Sequence, residues 1–126
     1  MITGPSGRSY DLLPLDNQAG LPQSFPYNRD GVRYQFTVYA NIPEAALEAI
    51  EQPISLPDGQ SFLVVRVDRL ASDGTNSTVF MRKVVPSLEY RAGALMLTFP
   101  TQVVARSNLN GVGTFGSNIV GGVASP

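Results

Sequence analysis

The sequence contains neither histidine nor cysteine. The absence of cysteine excludes disulfides and thiol chemistry, and the absence of both residue types excludes Cys/His zinc sites and every histidine general base. Serine is frequent, but a nucleophilic triad cannot be assembled without a base. We therefore expect no catalytic residue, no metal and no cofactor, and we predict that this protein is not an enzyme.

Charge is also scarce. Nine Lys and Arg residues oppose ten Asp and Glu residues, the net charge is −1, and no stretch has more than two adjacent basic residues. Binding to nucleic acid or to an anionic membrane needs a clustered basic surface, so we expect neither partner. No apolar run approaches the roughly 20 residues of a membrane span, and residues 1–10 do not resemble a signal peptide. We expect a protein that is made and kept in a cytoplasm.

Glycine and proline, in contrast, are abundant. Twelve glycines and ten prolines are spread through the 126 residues, a pattern that predicts many short elements joined by turns and favours β structure over helical bundles. A chain of this length forms one domain by the usual size relation. We predict a single, mainly β domain over residues 1–126. Its fold would be a small barrel or sandwich of about six to eight short antiparallel strands with one short helix.

The clearest predicted element is a strand over residues 32–40. Its even positions are apolar or aromatic and its odd positions are mostly polar, and this alternation places one face of the strand on a core. Asp30-Gly31 before it supplies the positive φ angles of a tight hairpin turn. The partner strand, residues 24–27, contains Pro26, which has no amide donor, so we expect this strand to be short or to lie at a sheet edge.

A second hairpin and a third strand follow. Residues 61–70 and 77–85 are rich in β-branched side chains and are separated by a loop containing Asp-Gly, which predicts two paired strands. Residues 94–99 form a further predicted strand that Pro100 ends. Residues 102–105 either continue that strand or pair with it.

The predicted core and the predicted helix complete this assignment. Glu44–Glu51 lies between two prolines and has a helical arrangement of apolar residues. The core would be led by ten side chains: Val32, Tyr34, Phe36, Val38, Leu63, Val65, Val67, Leu95, Leu97 and Phe99.

The C-terminal segment, residues 107–126, is glycine-rich, apolar and free of charged residues. Either it returns as a strand into the sheet or it lies against a neighbouring subunit. A segment of low charge costs little to bury between subunits, so we predict that it serves assembly. A chain ending at Arg106 should then remain folded and fail to assemble. The predicted interface residues are Tyr39, Leu109, Val112, Phe115, Ile119, Val120 and Val123.

Gly111–Gly116 matches the letters of the G-x-G-x-x-G dinucleotide motif. That motif requires a helix after the glycines and an acidic residue further on. Neither follows in this sequence, so we interpret the segment as a connection between short strands.

Several short motifs occur in a particular order along the chain. They are Leu13-Pro14-Leu15, Gln23-Ser24-Phe25, Asp30-Gly31, Val32–Val38, Ala92–Leu97, Gly111-Val112-Gly113 and Ser117–Val120. This order resembles the small baseplate plug proteins of tailed bacteriophages, which have a Pro-Leu opening, an Asp-Gly hairpin, a meander and a glycine turn before a final apolar strand. Residues 41–60 are longer than the corresponding part of that family, and the C-terminus lacks the family's aromatic ending.

The resemblance implies a non-enzymatic structural component of a bacteriophage virion, a plug protein of the tail baseplate that closes or lines the end of the tube within a hub. It would reside in the virion and, during assembly, in the host cytoplasm. Its partners would be tail hub or tube proteins and further copies of itself. Two alternatives remain open: a capsid decoration protein bound to capsid subunits, and a β-barrel that binds a small ligand.

Overall fold

The computed structural model describes residues 1–16, 21–42, 54–104 and 118–126. The predicted helix Glu44–Glu51 and the glycine motif Gly111–Gly116 lie outside the described residues. Within them the chain forms two antiparallel sheets and contains no helix. The prediction of a mainly β fold is confirmed. The two sheets do not close into a barrel, so the described part of the domain is a sandwich.

Ten strands of the described residues make up the two sheets. They are β1 Ile2–Thr3, β2 Ser9–Leu12, β3 Gln23–Arg29, β4 Val32–Asn41, β5 Ile54–Ser55, β6 Phe62–Leu70, β7 Asn76–Val84, β8 Glu89–Ala92, β9 Leu95–Val104 and β10 Asn118–Ala124. The four-stranded sheet has the order β3-β4-β6-β7. The six-stranded sheet has the order β1-β2-β10-β9-β5, and β8 also pairs with β9.

The four-stranded sheet contains both predicted hairpins. Arg29 pairs with Val32 across a two-residue turn in which Asp30 and Gly31 have φ angles of 53° and 78°. Both angles are positive, as a type I′ turn requires. Pro26 lies in the edge strand β3 and forms a non-hydrogen-bonded pair with Gln35, so its missing amide donor breaks no ladder bond.

The strand that begins at Leu95 does not end at Pro100, so that part of the prediction was wrong, whereas the alternative that residues 102–105 continue the strand is confirmed for residues 102–104. β9 continues through Pro100 to Val104. On one side β8 pairs with β9 only as far as Thr98, and β5 begins to pair at Val103. On the other side the register of β10 shifts between Val120 and Gly122. Because no neighbouring residue is paired with Pro100, its missing N–H costs no hydrogen bond.

The core lies between the two sheets. Nine of the ten predicted core side chains are buried there, and Val32 is half-buried against them. Leu13, Leu56, Phe80, Val84, Tyr90 and Val104 also belong to this core. The alternating burial of β4 confirms the period-two pattern of its sequence.

β10 lies inside the six-stranded sheet, between β2 and β9. Of the two alternatives for the C-terminal segment, a strand returning into the sheet describes residues 118–124. Ile119 is 4% exposed and Val123 is 0% exposed, and both face the core. These two side chains are covered by the domain itself, because they belong to the core between the two sheets.

Candidate interaction surface

One open side of the sandwich is closed by Arg29 at the end of β3. Its Nη1 lies 3.1 Å from Asp11 Oδ2 on β2 and 3.3 Å from the Tyr27 hydroxyl, and its Nη2 lies 3.3 Å from Ser125 Oγ. The pKa of Arg29 is raised, first by its hydrogen bond to Asp11. This guanidinium connects the four-stranded sheet to both β2 and the residues after β10.

The opposite side is closed by Tyr90 on β8. Its ring makes an edge contact with Phe80 of β7 at a centroid distance of 5.8 Å, and the Arg82 guanidinium lies 5.4 Å from the Tyr90 ring centroid. The Val85 N–H donates to the Tyr90 hydroxyl at 2.8 Å. Aromatic and cation–π contacts of this kind add to the free energy of burial. Tyr90 thus connects β8 of the six-stranded sheet to β7 of the four-stranded sheet.

The outer face of the six-stranded sheet carries a cluster centred on Glu89. Its carboxylate accepts hydrogen bonds from the Tyr10 hydroxyl at 2.5 Å, from Ser6 N–H at 2.7 Å and from Ser6 Oγ at 2.9 Å, and Arg8 Nη1 is 3.9 Å away. The hydrogen bond from Tyr10 is the main cause that lowers the pKa of Glu89, and burial is the main cause that raises the pKa of Tyr10.

Two glycines make room for this cluster. A Cβ atom at Gly122 would lie 2.7 Å from Tyr10 Cβ, and one at Gly4 would lie 2.7 Å from Tyr10 Cε1. Tyr10 therefore packs directly on the backbone of β10 and of the β1–β2 connection. The partners of Glu89 all belong to residues 6–10, so we infer that the cluster stabilises the packing of the β1–β2 hairpin on the sheet.

The outer face of the four-stranded sheet has a polar half near the hairpin turns. Its side chains bond mainly to one another: Gln35 Nε2 donates to Ser24 Oγ at 2.6 Å, and Thr78 Oγ1 donates to Asp68 Oδ1 at 2.6 Å. Arg66 Nε lies 3.1 Å from Asp68 Oδ2. Because this half satisfies its own hydrogen bonds, it offers few unpaired groups to a partner.

The other half of the same face carries four apolar or aromatic side chains and one lysine. The register places Tyr39, Val64 and Lys83 side by side across β4, β6 and β7, with Phe62 and Met81 in the adjoining rows. Lys83 Nζ lies 5.2 Å from the Phe62 ring centroid, and Met81 is 53% exposed. We call these five residues the Tyr39 patch. Of its apolar members Met81 is exposed, Tyr39 and Phe62 are half-buried, and Val64 is buried. Apolar and aromatic side chains that reach the surface together are typical of protein–protein contact surfaces.

The edges of the four-stranded sheet differ. The β3 edge contains Pro26, whereas β7 is nine residues long and has no proline. In the described part of the chain β7 pairs only with β6. An unpaired strand edge presents N–H and C=O groups that another strand can bind. The free edge of β7 adjoins the Tyr39 patch, since Met81 and Lys83 belong to both.

The hairpin register tells which backbone groups of β7 point outward. Arg29 and Val32 flank a two-residue turn and therefore form a hydrogen-bonded pair. Hydrogen-bonded and non-hydrogen-bonded pairs alternate along an antiparallel ladder. When this alternation is followed from β4 through β6 to β7, the backbone N–H and C=O groups of Arg82 and Val84 point toward β6. Those of Met81 and Lys83 then point away from the sheet.

Two independent features agree with this assignment. By this register the backbone nitrogen of Pro26 points away from β4, so the N–H that proline lacks is not needed for pairing. The register also directs the N–H of Val85 away from β6, and that group donates to the Tyr90 hydroxyl on β8. We conclude that the N–H and C=O groups of Met81 and Lys83 face the free edge.

Two open clefts lie at the far end of the four-stranded sheet. Their volumes are about 470 Å³ and about 450 Å³, and Gly31, Leu70 and Ala71 line both, with Arg33 in one and Arg69 in the other. Neither cleft lies between the two sheets. The hypothesis of a ligand-binding barrel needs an enclosed interior, and the interior between the described sheets is occupied by the core side chains.

The predicted interface residues have different locations. Tyr39 lies in the patch on the outer face, and Val120 is half-buried on β10. Ile119 and Val123 are buried in the core, which corrects their assignment to a surface. Leu109, Val112 and Phe115 lie outside the described residues. The sequence prediction missed Met81 and the free edge of β7, although an apolar residue before Arg82-Lys83 on an alternating strand was a usable signal.

Among the described residues no group of three or more acidic side chains is arranged to hold a metal ion. The same residues contain no helix that is long and apolar enough to cross a membrane. Comparisons with protein-family models, with curated proteins and with solved structures find no significant match to this chain.

Proposed function

We propose that this chain is a non-enzymatic structural component of a larger protein assembly. The observation that carries the proposal is the continuity between the Tyr39 patch and the edge of β7, which no other described strand pairs. Apolar side chains and free backbone groups on one surface are the two features that strand-mediated protein contacts use. Tyr39 is the residue that the sequence prediction and this surface have in common.

The class of assembly is proposed from the sequence. The ordered motifs from Leu13-Pro14-Leu15 to Ser117–Val120 support a bacteriophage virion, with a plug of the tail baseplate as the first candidate. Its partners would then be tail hub or tube proteins, and it would assemble in the host cytoplasm. A capsid decoration protein is the second candidate, and it would contact capsid subunits as a symmetric oligomer.

The absence of catalysis is part of the proposal. The sequence has no histidine and no cysteine, and the three hydrogen bonds that the Glu89 carboxylate accepts come from Ser6 and Tyr10 of the same chain. A general acid or base needs a free position for substrate within hydrogen-bond reach. The bonds at Glu89 instead account for the docking of the β1–β2 hairpin.

The test is the molar mass in solution, measured by light scattering on the protein alone and after co-expression with the products of neighbouring genes. The wild type should gain mass with a partner, and Met81→Asp should abolish this gain by placing a charge in the patch. The matched control is Leu88→Asp, because Leu88 is 50% exposed and Met81 is 53% exposed. A wild-type monomer that is indifferent to every neighbour would contradict the proposal.

A further inference from the structure

We propose that the free edge of β7 binds an extended segment of a partner protein as an additional antiparallel strand, and that this segment carries acidic residues opposite Arg82 and Lys83. The inference rests on the proposed function as an assembly component and specifies the partner's chemistry. The N–H and C=O groups of Met81 and Lys83 would form the hydrogen bonds.

β7 is the described edge best suited to an added strand. β3, at the other end of its sheet, is interrupted by Pro26. In the six-stranded sheet the outermost strands β1 and β5 are two residues long and β8 is four residues long. The regular part of β7, from Phe80 to Val84, is longer than any of these three strands.

The charges along β7 indicate an acidic partner. Asn76–Val84 contains Arg82 and Lys83 and no acidic residue. The nearest carboxylate on the neighbouring strand, Asp68, is already held by Arg66 at 3.1 Å and by Thr78 at 2.6 Å. Arg82 and Lys83 rest against aromatic rings and have no ion pair within the described residues. Two adjacent carboxylates on an added strand would meet one cation on each face of the sheet.

A second copy of the chain fits this edge poorly. A two-fold axis between antiparallel copies of β7 must pass beside residue 81, 82 or 83, because the outward backbone groups have to pair with each other. An axis at Arg82 or at Lys83 places like charges directly opposite, which is destabilising. An axis at Met81 places Lys83 opposite Val79, where the register of β7 is irregular. The edge therefore favours a foreign acidic strand over its own copy.

The experiment uses capped nine-residue peptides of alternating threonine and valine with two adjacent residues replaced near the N-terminus. One peptide carries two glutamates there and its control carries two lysines. Binding to the full chain is measured by NMR titration and by amide hydrogen exchange. We expect the glutamate peptide to bind at least tenfold more tightly than the lysine peptide. Exchange should slow at the amides of Met81 and Lys83 and stay unchanged at Arg82.

Two proline variants separate the edge from other surfaces. Met81→Pro removes an outward N–H, as Pro26 does naturally on β3, so the fold should be retained while peptide binding falls at least tenfold. Asn28→Pro is the control at the β3 edge, because the backbone N–H of Asn28 also points away from the sheet. Peptide binding to this variant should persist. Met81→Ala keeps the amide and reports on the side chain alone. A thermal melt of each variant verifies folding.

Each of the remaining outcomes overturns the inference. No binding of the glutamate peptide, equal binding of the lysine peptide, or unchanged binding to folded Met81→Pro would contradict an acidic strand at β7. Dimers that Met81→Pro dissociates would identify a second copy as the occupant. If the wild type still gains mass with its gene neighbours in any of these cases, the assembly role stands and uses another surface.

Discussion

The position of β10 inside the six-stranded sheet reverses the sequence-based prediction that a chain ending at Arg106 remains folded. Such a chain lacks β10, and we expect it to be unfolded. Ile119 and Val123 are 4% and 0% exposed, and burial of such side chains contributes about 1.5–3 kcal/mol each. Their loss alone removes about 3–6 kcal/mol. The ladders from β10 to β9 and to β2 add backbone hydrogen bonds at about 0.5–1.5 kcal/mol each. A domain of this size has a free energy of unfolding of only about 5–15 kcal/mol.

The assay is far-UV circular dichroism during urea unfolding, with a proton–nitrogen NMR spectrum of the same sample. The truncated chain should give no cooperative transition and poorly dispersed amide signals. The control ends at Ala124, because Ser125 and Pro126 are exposed and contribute one hydrogen bond to Arg29. That control should unfold cooperatively like the full chain. A cooperative transition at the wild-type midpoint for the chain ending at Arg106 would refute the reasoning.

Three further predictions concern Gly121, the Arg29–Asp11 salt bridge and the cluster around Glu89. Gly121→Ala should lower the free energy of unfolding by about 1–3 kcal/mol, because the new Cβ atom would lie 2.5 Å from Cε2 of the buried Phe99 ring. An unchanged urea midpoint would contradict this prediction. Arg29→Ala should cost about 1–3 kcal/mol in urea titrations and Asp11→Ala below about 1 kcal/mol, because Arg29 also bonds to two hydroxyls; equal losses would argue against the contact pattern. Because the hydrogen bond from Tyr10 holds the pKa of Glu89 below its ordinary 4.5, the carboxylate stabilises the fold above that pH and this stabilisation is lost as the pH falls through the lower value of the folded state. Tyr10→Phe and Glu89→Gln should flatten this decrease in urea titrations between pH 6 and 3, and a slope equal to the wild type would exclude the mechanism.

The hairpins could be predicted from the sequence because their signals are local. The alternation of residues 32–40 and the Asp30-Gly31 turn are encoded within a few positions of each other, and the register then follows from the turn. The same signals predicted most of the core. Pro100 was misjudged because a proline disrupts a strand only where a neighbour needs its N–H, and the neighbours of β9 were not evident from its own residues.

The candidate surface was harder to predict than the fold. Tyr39 could be placed on the outer face of β4 from its odd position. The free edge of β7, in contrast, depends on which strand lies at the end of the sheet, and the sequence of Asn76–Val84 does not state it. Ile119 and Val123 were assigned to an interface because an uncharged apolar strand suits a subunit contact and a sheet interior equally well.

The sequence by itself determined the absence of histidine and cysteine chemistry, the mainly β class, the two hairpins and the alternating core faces, because composition, turn residues and period are properties of neighbouring positions. Only the tertiary structure decided that β10 lies between β2 and β9, that Tyr10 reaches Glu89 across the sheet, and that β7 is an edge strand among the described strands. These features join segments that are far apart in the chain. They depend on how the two sheets pack, and that packing is a property of the whole domain.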